Sequence, residues 1–90
     1  MIVMNDAAYG SEIHKLRVDG HDEDGAAFGA TDLASMARGF GLGGVSFRSL
    51  DHLDSAFDEF VASDKAALWD FHISDQVVSP VMRRLTAGKK

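Results

Sequence analysis

The chain opens with an unbroken apolar run, Ile2-Val3-Met4, stopped by the polar pair Asn5-Asp6, which is the pattern of a strand buried on both faces in a parallel sheet. Beyond Tyr9-Gly10, the positions Glu12, Ile13, Leu16 and Val18 outline a short helix. Residues 19–30, "DGHDEDGAAFGA", are acidic and glycine-rich and predict a solvated loop. Thr31 then reads as a helix N-cap with Asp32 in the first turn. Leu33, Met36, Ala37 and Phe40 follow at i, i+3, i+4 and i+7, an amphipathic helix closing near Gly39 or Gly41. Residues 45–48, "VSFR", form a short strand, and Ser49 is placed to cap a helix whose apolar stripe is Leu50, Leu53, Phe57, Phe60 and Val61. Asp51, Asp54, Asp58 and Glu59 fall on its watered side. Residues 66–73 alternate as a third strand, with Trp69, Phe71 and Ile73 on one face and Leu68, Asp70 and His72 on the other.

Strand, helix, strand, helix, strand implies right-handed crossovers. The expected fold class is therefore α/β, a parallel sheet of three strands with two to three flanking helices. Residues 1–73 are expected to make this domain, and residues 74–90 a C-terminal tail, interrupted at Pro80 and holding a short helix. Composition agrees: 46% hydrophobic and 26% charged residues with a single proline describe a globular chain rather than a disordered one.

Fourteen acidic against nine basic residues give a net charge of -5, which argues against non-specific binding to nucleic acid or to anionic membranes. Four of the basic residues, Arg83, Arg84, Lys89 and Lys90, cluster at the end. The absence of cysteine excludes disulfides, thiolate catalysis and cysteine-ligated metals. No apolar run reaches the length of a signal-peptide core or a membrane span, so a cytoplasmic setting is expected.

Several motifs fail on order or spacing. Gly39, Gly41 and Gly44 spell G-x-G-x-x-G, but they close a helix and lead into a strand, the reverse of a dinucleotide-binding turn. With Gly25 at position six of a calcium loop, Gly20 and Thr31 fall where acidic ligands are required. The histidines show no H-E-x-x-H spacing and no serine sits in G-x-S-x-G. His72, across one pleat from Asp70, reads as a packed or hydrogen-bonded histidine. A receiver-like module would need a phosphoacceptor aspartate after "VSFRS", and none is there.

The stretch Asn5-Asp6-Ala7-Ala8-Tyr9-Gly10 resembles the second half of the thiamine diphosphate motif, in which Gly-Asp-Gly is followed a couple of dozen residues later by Asn-Asn. "DLASMARGFG", "FRSLDHLDSAFDEF" and "ALWDFHIS" resemble, in order, the helix, strand, helix and strand that follow that motif. The match is to the C-terminal diphosphate-binding domain of the acetolactate synthase, benzoylformate decarboxylase and pyruvate decarboxylase superfamily. The resemblance implies thiamine diphosphate and Mg2+ as cofactors, with Asn5, Asp6, Ala8, Tyr9 and Gly10 in the cofactor-binding turn. Asp6 stands where the family's second Asn ligates magnesium, and Ala8 stands where a backbone carbonyl does. A carboxylate in place of an amide keeps the oxygen chemistry that magnesium prefers. Glu12 matches the acid that takes part in proton transfers in decarboxylase-like members, and is the candidate catalytic residue.

The Gly-Asp-Gly half of the motif is not in the sequence, nor is the separate domain whose glutamate activates the cofactor's aminopyrimidine ring. The chain is accordingly expected to be the C-terminal part of a longer lyase or transferase acting on a 2-oxo acid, supplying part of the magnesium-diphosphate site, with no catalysis from these residues alone. The alternative is a non-catalytic interaction or accessory module that kept the fold without the cofactor. In either case an uncovered edge strand predicts pairing with a second copy or with the remainder of an enzyme.

Overall fold

Three short strands, β1 (Ile2–Asn5), β2 (Gly43–Phe47) and β3 (Ala67–His72), form one sheet in the order β1-β3-β2. Both pairings are parallel, with Ile2 and Val45 each opposite Trp69. The computed structural model describes residues 1–29 and 31–86, and its sheet and helices are the α/β architecture the pattern implied. The chain divides into two compact units: Met1–Asn5 with Asp32–Ile73, and Asp6–Thr31 with Ser74–Lys90.

The first unit contains the sheet with helices α2 (Leu33–Gly39) and α3 (Leu53–Ser63). Strand alternation sends Trp69 and Phe71 to one face, where Phe47 stacks on Phe71 at 4.5 Å between ring centroids and Phe60 of α3 meets Trp69 edge-on at 6.1 Å. Burying Phe47 almost completely stabilises the sheet by roughly 1.5–3 kcal/mol. Helix α2 packs on β2 and β3, and its buried residues are small, Ala34 and Ala37. Gly44 allows this close approach, because a Cβ there would run into the Ala34 carbonyl oxygen. Coverage of the aromatic face is incomplete: Ile2 is 66% and Met4 64% exposed. An open hollow of about 230 Å³ lies among Met1, Ile2, Phe57, Phe60, Ala67 and Trp69.

Helix caps depart from expectation. Asp32, not Thr31, caps α2, its Oδ1 accepting from Ser35 N at 3.0 Å and its Oδ2 from Ser35 Oγ at 2.6 Å. Two bonds to one carboxylate outweigh a single hydroxyl cap, and they hold the Asp32 carboxyl below the usual aspartate range. Ser49 caps no helix. Its Oγ accepts from Asp51 N at 3.4 Å in a local turn, α3 starts only at Leu53, and the expected apolar stripe is not the buried face: Leu50, Phe57 and Val61 are exposed and Ala56 is buried. Strand β2 begins earlier than expected, at Gly43, whose N–H donates to the Ala66 carbonyl at 3.0 Å.

The second unit holds α1 (Gly10–Asp19) beside α4 (Pro80–Thr86). Residues 19–30 are more than solvated loop: Asp24–Ala26 make a 3₁₀ turn, Ala26 is buried, and Ala27 pairs with Ala8 in an isolated antiparallel bridge.

Candidate functional site

Asp6 is the first residue after β1, and its side chain organises the turn into α1. Its Oδ1 accepts a hydrogen bond from Ala8 N at 3.3 Å, an Asx turn that takes the chain through Ala7 at φ +62°. An alanine in this left-handed region is strained by roughly 1–3 kcal/mol, a cost met where surrounding contacts over-determine the turn. Those contacts come from the bridge: Tyr9 N donates to the Ala26 carbonyl at 2.8 Å and Phe28 N to the Ala7 carbonyl at 3.1 Å. The Tyr9 and Phe28 rings meet edge-on at 5.3 Å. Neither bridge bond uses the Ala8 carbonyl.

Asp6 Oδ2 occupies the space that a side chain at Gly10 would fill. Only glycine lets the carboxyl settle over the start of α1, where no side chain caps the first-turn N–H groups. An uncapped helix start attracts anions, phosphates among them. The turn therefore brings two hard oxygen donors, the Asp6 carboxyl and the Ala8 carbonyl, close in sequence to unsatisfied helix donors. Among the described residues no group of three or more acidic or histidine side chains is placed to hold a metal. A cation held by Asp6 and Ala8 would take its remaining ligands from phosphate oxygens and water, which is how magnesium commonly binds. The donor set thus fits magnesium diphosphate.

Glu12 is exposed on the first turn of α1 and lines an open groove of about 500 Å³ with Tyr9, Lys15, Leu16, Asp19, Gly25 and Ala26. Farther along α1, Arg17 makes a forked pair with Glu23, Nε to Oε2 at 2.8 Å and Nη2 to Oε1 at 3.0 Å, and donates from Nη1 to the Asp75 carbonyl at 3.0 Å. His14 Nε2 donates to the same carbonyl at 2.8 Å. The hydrogen-bonded fork lowers the Glu23 carboxyl and raises the Arg17 guanidinium relative to their ordinary values. These bonds tie α1 to the acidic loop and to the segment after β3.

Asn5 ends β1 in the first unit and is buried. Its Nδ2 donates to Asp70 Oδ2 at 3.2 Å, and its carbonyl accepts from Ile73 N at 2.9 Å. Sequence reading placed Asn5 among the cofactor-binding residues and gave it no strand partner. Its partnership with Asp70 depends on the β1-β3 register, which no local signal reveals. His72 is hydrogen-bonded, sharing Nε2 with Ser46 Oγ at 2.8 Å and lying 3.6 Å from Asp70 Oδ2 through the same nitrogen. A nucleophile relay needs the serine and the acid on opposite ring nitrogens, so this serine, histidine and aspartate do not form one.

Within the second unit, a turn of oxygen donors leading into an uncapped helix suits a phosphorylated ligand. Residues 1–71 match the family described as thiamine pyrophosphate enzyme, C-terminal TPP binding domain, and the chain belongs to this family. Thiamine diphosphate is the cofactor class the family binds. No curated protein matches the chain. No helix among the described residues is long and apolar enough to cross a membrane.

Proposed function

We propose that the chain serves as the cofactor-binding C-terminal part of a thiamine diphosphate-dependent decarboxylase or acetolactate synthase-like enzyme acting on 2-oxo acids. The observation that carries this reading is the Asp6 turn, in which the carboxyl folds over Gly10 and leaves the Ala8 carbonyl outside the bridge bonds. Asp6 and the Ala8 carbonyl would hold magnesium, and the first N–H groups of α1 would meet diphosphate oxygens. When bound, thiamine diphosphate supplies the carbanion that adds to the 2-oxo carbonyl and the ring that takes up the electron pair released by carbon–carbon cleavage. Glu12, exposed beside Tyr9, is the residue proposed to deliver or remove a proton at its carboxyl, and that proton step decides between release of an aldehyde and ligation to a second carbonyl.

The setting proposed is cytoplasmic, with a further copy of the chain, or other parts of such an enzyme, against β1. Support comes from the exposure of Ile2 and Met4 on a strand paired on only one side.

Thermal unfolding with magnesium alone and with magnesium plus thiamine diphosphate tests the reading. At a hundred times the dissociation constant the pair would stabilise the fold by about 2.7 kcal/mol. For a domain this size that is about 11–22 °C in Tm. The shift is expected with both components present and not with magnesium alone, and Asp6→Ala should abolish it. No shift in the wild-type chain at saturating concentrations would refute the proposal and favour a non-catalytic module.

A further inference from the structure

Helix α1 and the loop after it are clasped at both ends, and every atom of both clasps belongs to the second unit. At the far end Arg17 holds Glu23 in its fork, Nε to Oε2 at 2.8 Å and Nη2 to Oε1 at 3.0 Å, while Nη1 donates to the Asp75 carbonyl at 3.0 Å. At the near end Tyr9, the residue before α1, donates its N–H to the Ala26 carbonyl at 2.8 Å. Between the clasps runs the 3₁₀ turn Asp24–Ala26, in which the Glu23 carbonyl accepts from Ala26 N at 2.9 Å. The residue that Arg17 grips is thus the one that Ala26 is bonded to.

The loop supplies little to hold itself there. Asp19, Asp22, Glu23 and Asp24 crowd it with negative charge, and Asp22 and Asp75 repel the Glu23 carboxylate. Of residues 19–29 only Ala26 is buried, a single methyl group's worth of apolar anchor. A partly exposed ion pair adds little stability by itself. A forked one fixes direction, because the planar guanidinium meets the carboxylate through two parallel bonds. We infer that Arg17 is a positioning residue: its fork to Glu23 sets the 3₁₀ turn so that the Ala26 carbonyl receives Tyr9 N, which fixes the Asp6–Ala8 turn and the Gly25–Ala26 wall of the groove that Glu12 lines. The inference rests on the proposed function for its consequence, that cofactor and 2-oxo acid meet donors and a groove wall already in place. Arg17 touches neither of them in this scheme.

Amide hydrogen exchange on the full chain without cofactor tests the inference. In Arg17→Ala the N–H groups of Tyr9, Ala26 and Phe28 should exchange about tenfold faster than in the wild type, while those of Ile13 and Gly43, bonded to the Tyr9 and Ala66 carbonyls, should stay within about twofold. Glu23→Ala removes the acceptor and leaves Arg17 in place, so it answers the question should Arg17→Ala fail to fold, and it should reproduce the local acceleration. Glu23→Gln keeps one acceptor oxygen for the guanidinium and should return the three amides to within about threefold of wild type. The double variant Arg17→Ala with Glu23→Ala should be no faster than either single one, as expected for one shared interaction. In the NMR spectrum the contact between the Tyr9 and Phe28 rings, 5.3 Å apart, should weaken in Arg17→Ala while that between Phe47 and Phe71, 4.5 Å apart, persists. Equal acceleration at all five amides would show a merely structural role and overturn the inference, as would an unchanged Tyr9 amide in Glu23→Ala or a Glu23→Gln chain as fast as Glu23→Ala. Because no cofactor is present, a wild-type chain that exchanges as expected yet shows no magnesium diphosphate shift would refute the proposed function alone.

Discussion

Replacing Gly10 by alanine perturbs the Asp6 turn without removing a donor atom. The new Cβ would collide with Asp6 Oδ2 and stand 3.2 Å from its Cγ. The carboxyl must then rotate away and give up the bond from Ala8 N, worth about 1 kcal/mol. Alanine at a helical position returns up to about 1 kcal/mol relative to glycine. The two effects nearly cancel, so without ligand Tm should stay within about 5 °C of wild type. With ligand they do not cancel. A displaced carboxyl should weaken magnesium thiamine diphosphate about tenfold, a loss of about 1.4 kcal/mol. At the concentration that stabilises the wild type by about 2.7 kcal/mol, the variant should gain only about 1.4 kcal/mol, halving the shift. Differential scanning calorimetry with and without the pair reads both quantities. Gly25→Ala is the control, since nothing lies within 4 Å of a Cβ there. A Gly10→Ala chain that kept the full shift would refute the placement of the Asp6 carboxyl as a cation donor.

Further outcomes concern the fold. Gly44→Ala drives a Cβ into the Ala34 carbonyl oxygen and should destabilise the first unit by about 1–3 kcal/mol, read as a lower Tm without loss of sheet signal in circular dichroism. Glu23 and Asp32 have lowered pKa values in the folded chain, so their contribution is fully present above the ordinary values of 4.5 and 3.8 and is lost as pH falls from there through the lower folded-state values. Stability should therefore decline below about pH 4.5, and Glu23→Gln should flatten part of that decline. An unchanged acid slope in Glu23→Gln would contradict the role given to the Arg17 fork. Light scattering at micromolar concentration should show an oligomer, and a clean monomer would count against pairing at β1.

Periodicity located the strands and helices of the sheet unit as elements but not the faces they bury: Ile2 and Met4 of the strand expected to be buried, Met36 and Phe40 of one expected stripe and Phe57 and Val61 of the other are exposed. The alternation of Trp69 and Phe71 against Asp70 and His72 was legible from its period, whereas α2 was legible as a helix only, since it buries Ala34 and Ala37 in place of the expected stripe and ends at Gly39. Caps were less so. Thr31 and Asp32 are both good N-cap residues, and the choice fell to Asp32 because Ser35 offers it two donors. Ser49 lost its helix to a local turn, which moved the start of α3 to Leu53 and left Leu50 in water. The glycine at position 44 read as part of a turn, although its purpose is to admit the Ala34 backbone, a contact between segments that sequence spacing does not encode. For the site, residue identities in the Asn5 to Gly10 stretch were legible through family resemblance. The Ala8–Ala27 bridge, the fold of the Asp6 carboxyl over Gly10 and the Asn5–Asp70 bond were not, since each depends on tertiary placement.

The central claim, that Asp6 and the Ala8 carbonyl hold the metal of a diphosphate cofactor, is tested most directly by amide NMR with Mn2+ in place of Mg2+ and thiamine diphosphate present. Paramagnetic broadening is expected to centre on the amides of Asp6 to Gly10, and to leave them in Asp6→Ala. Broadening centred on the acidic residues 19–24, or identical in the wild type and in Asp6→Ala, would contradict the account.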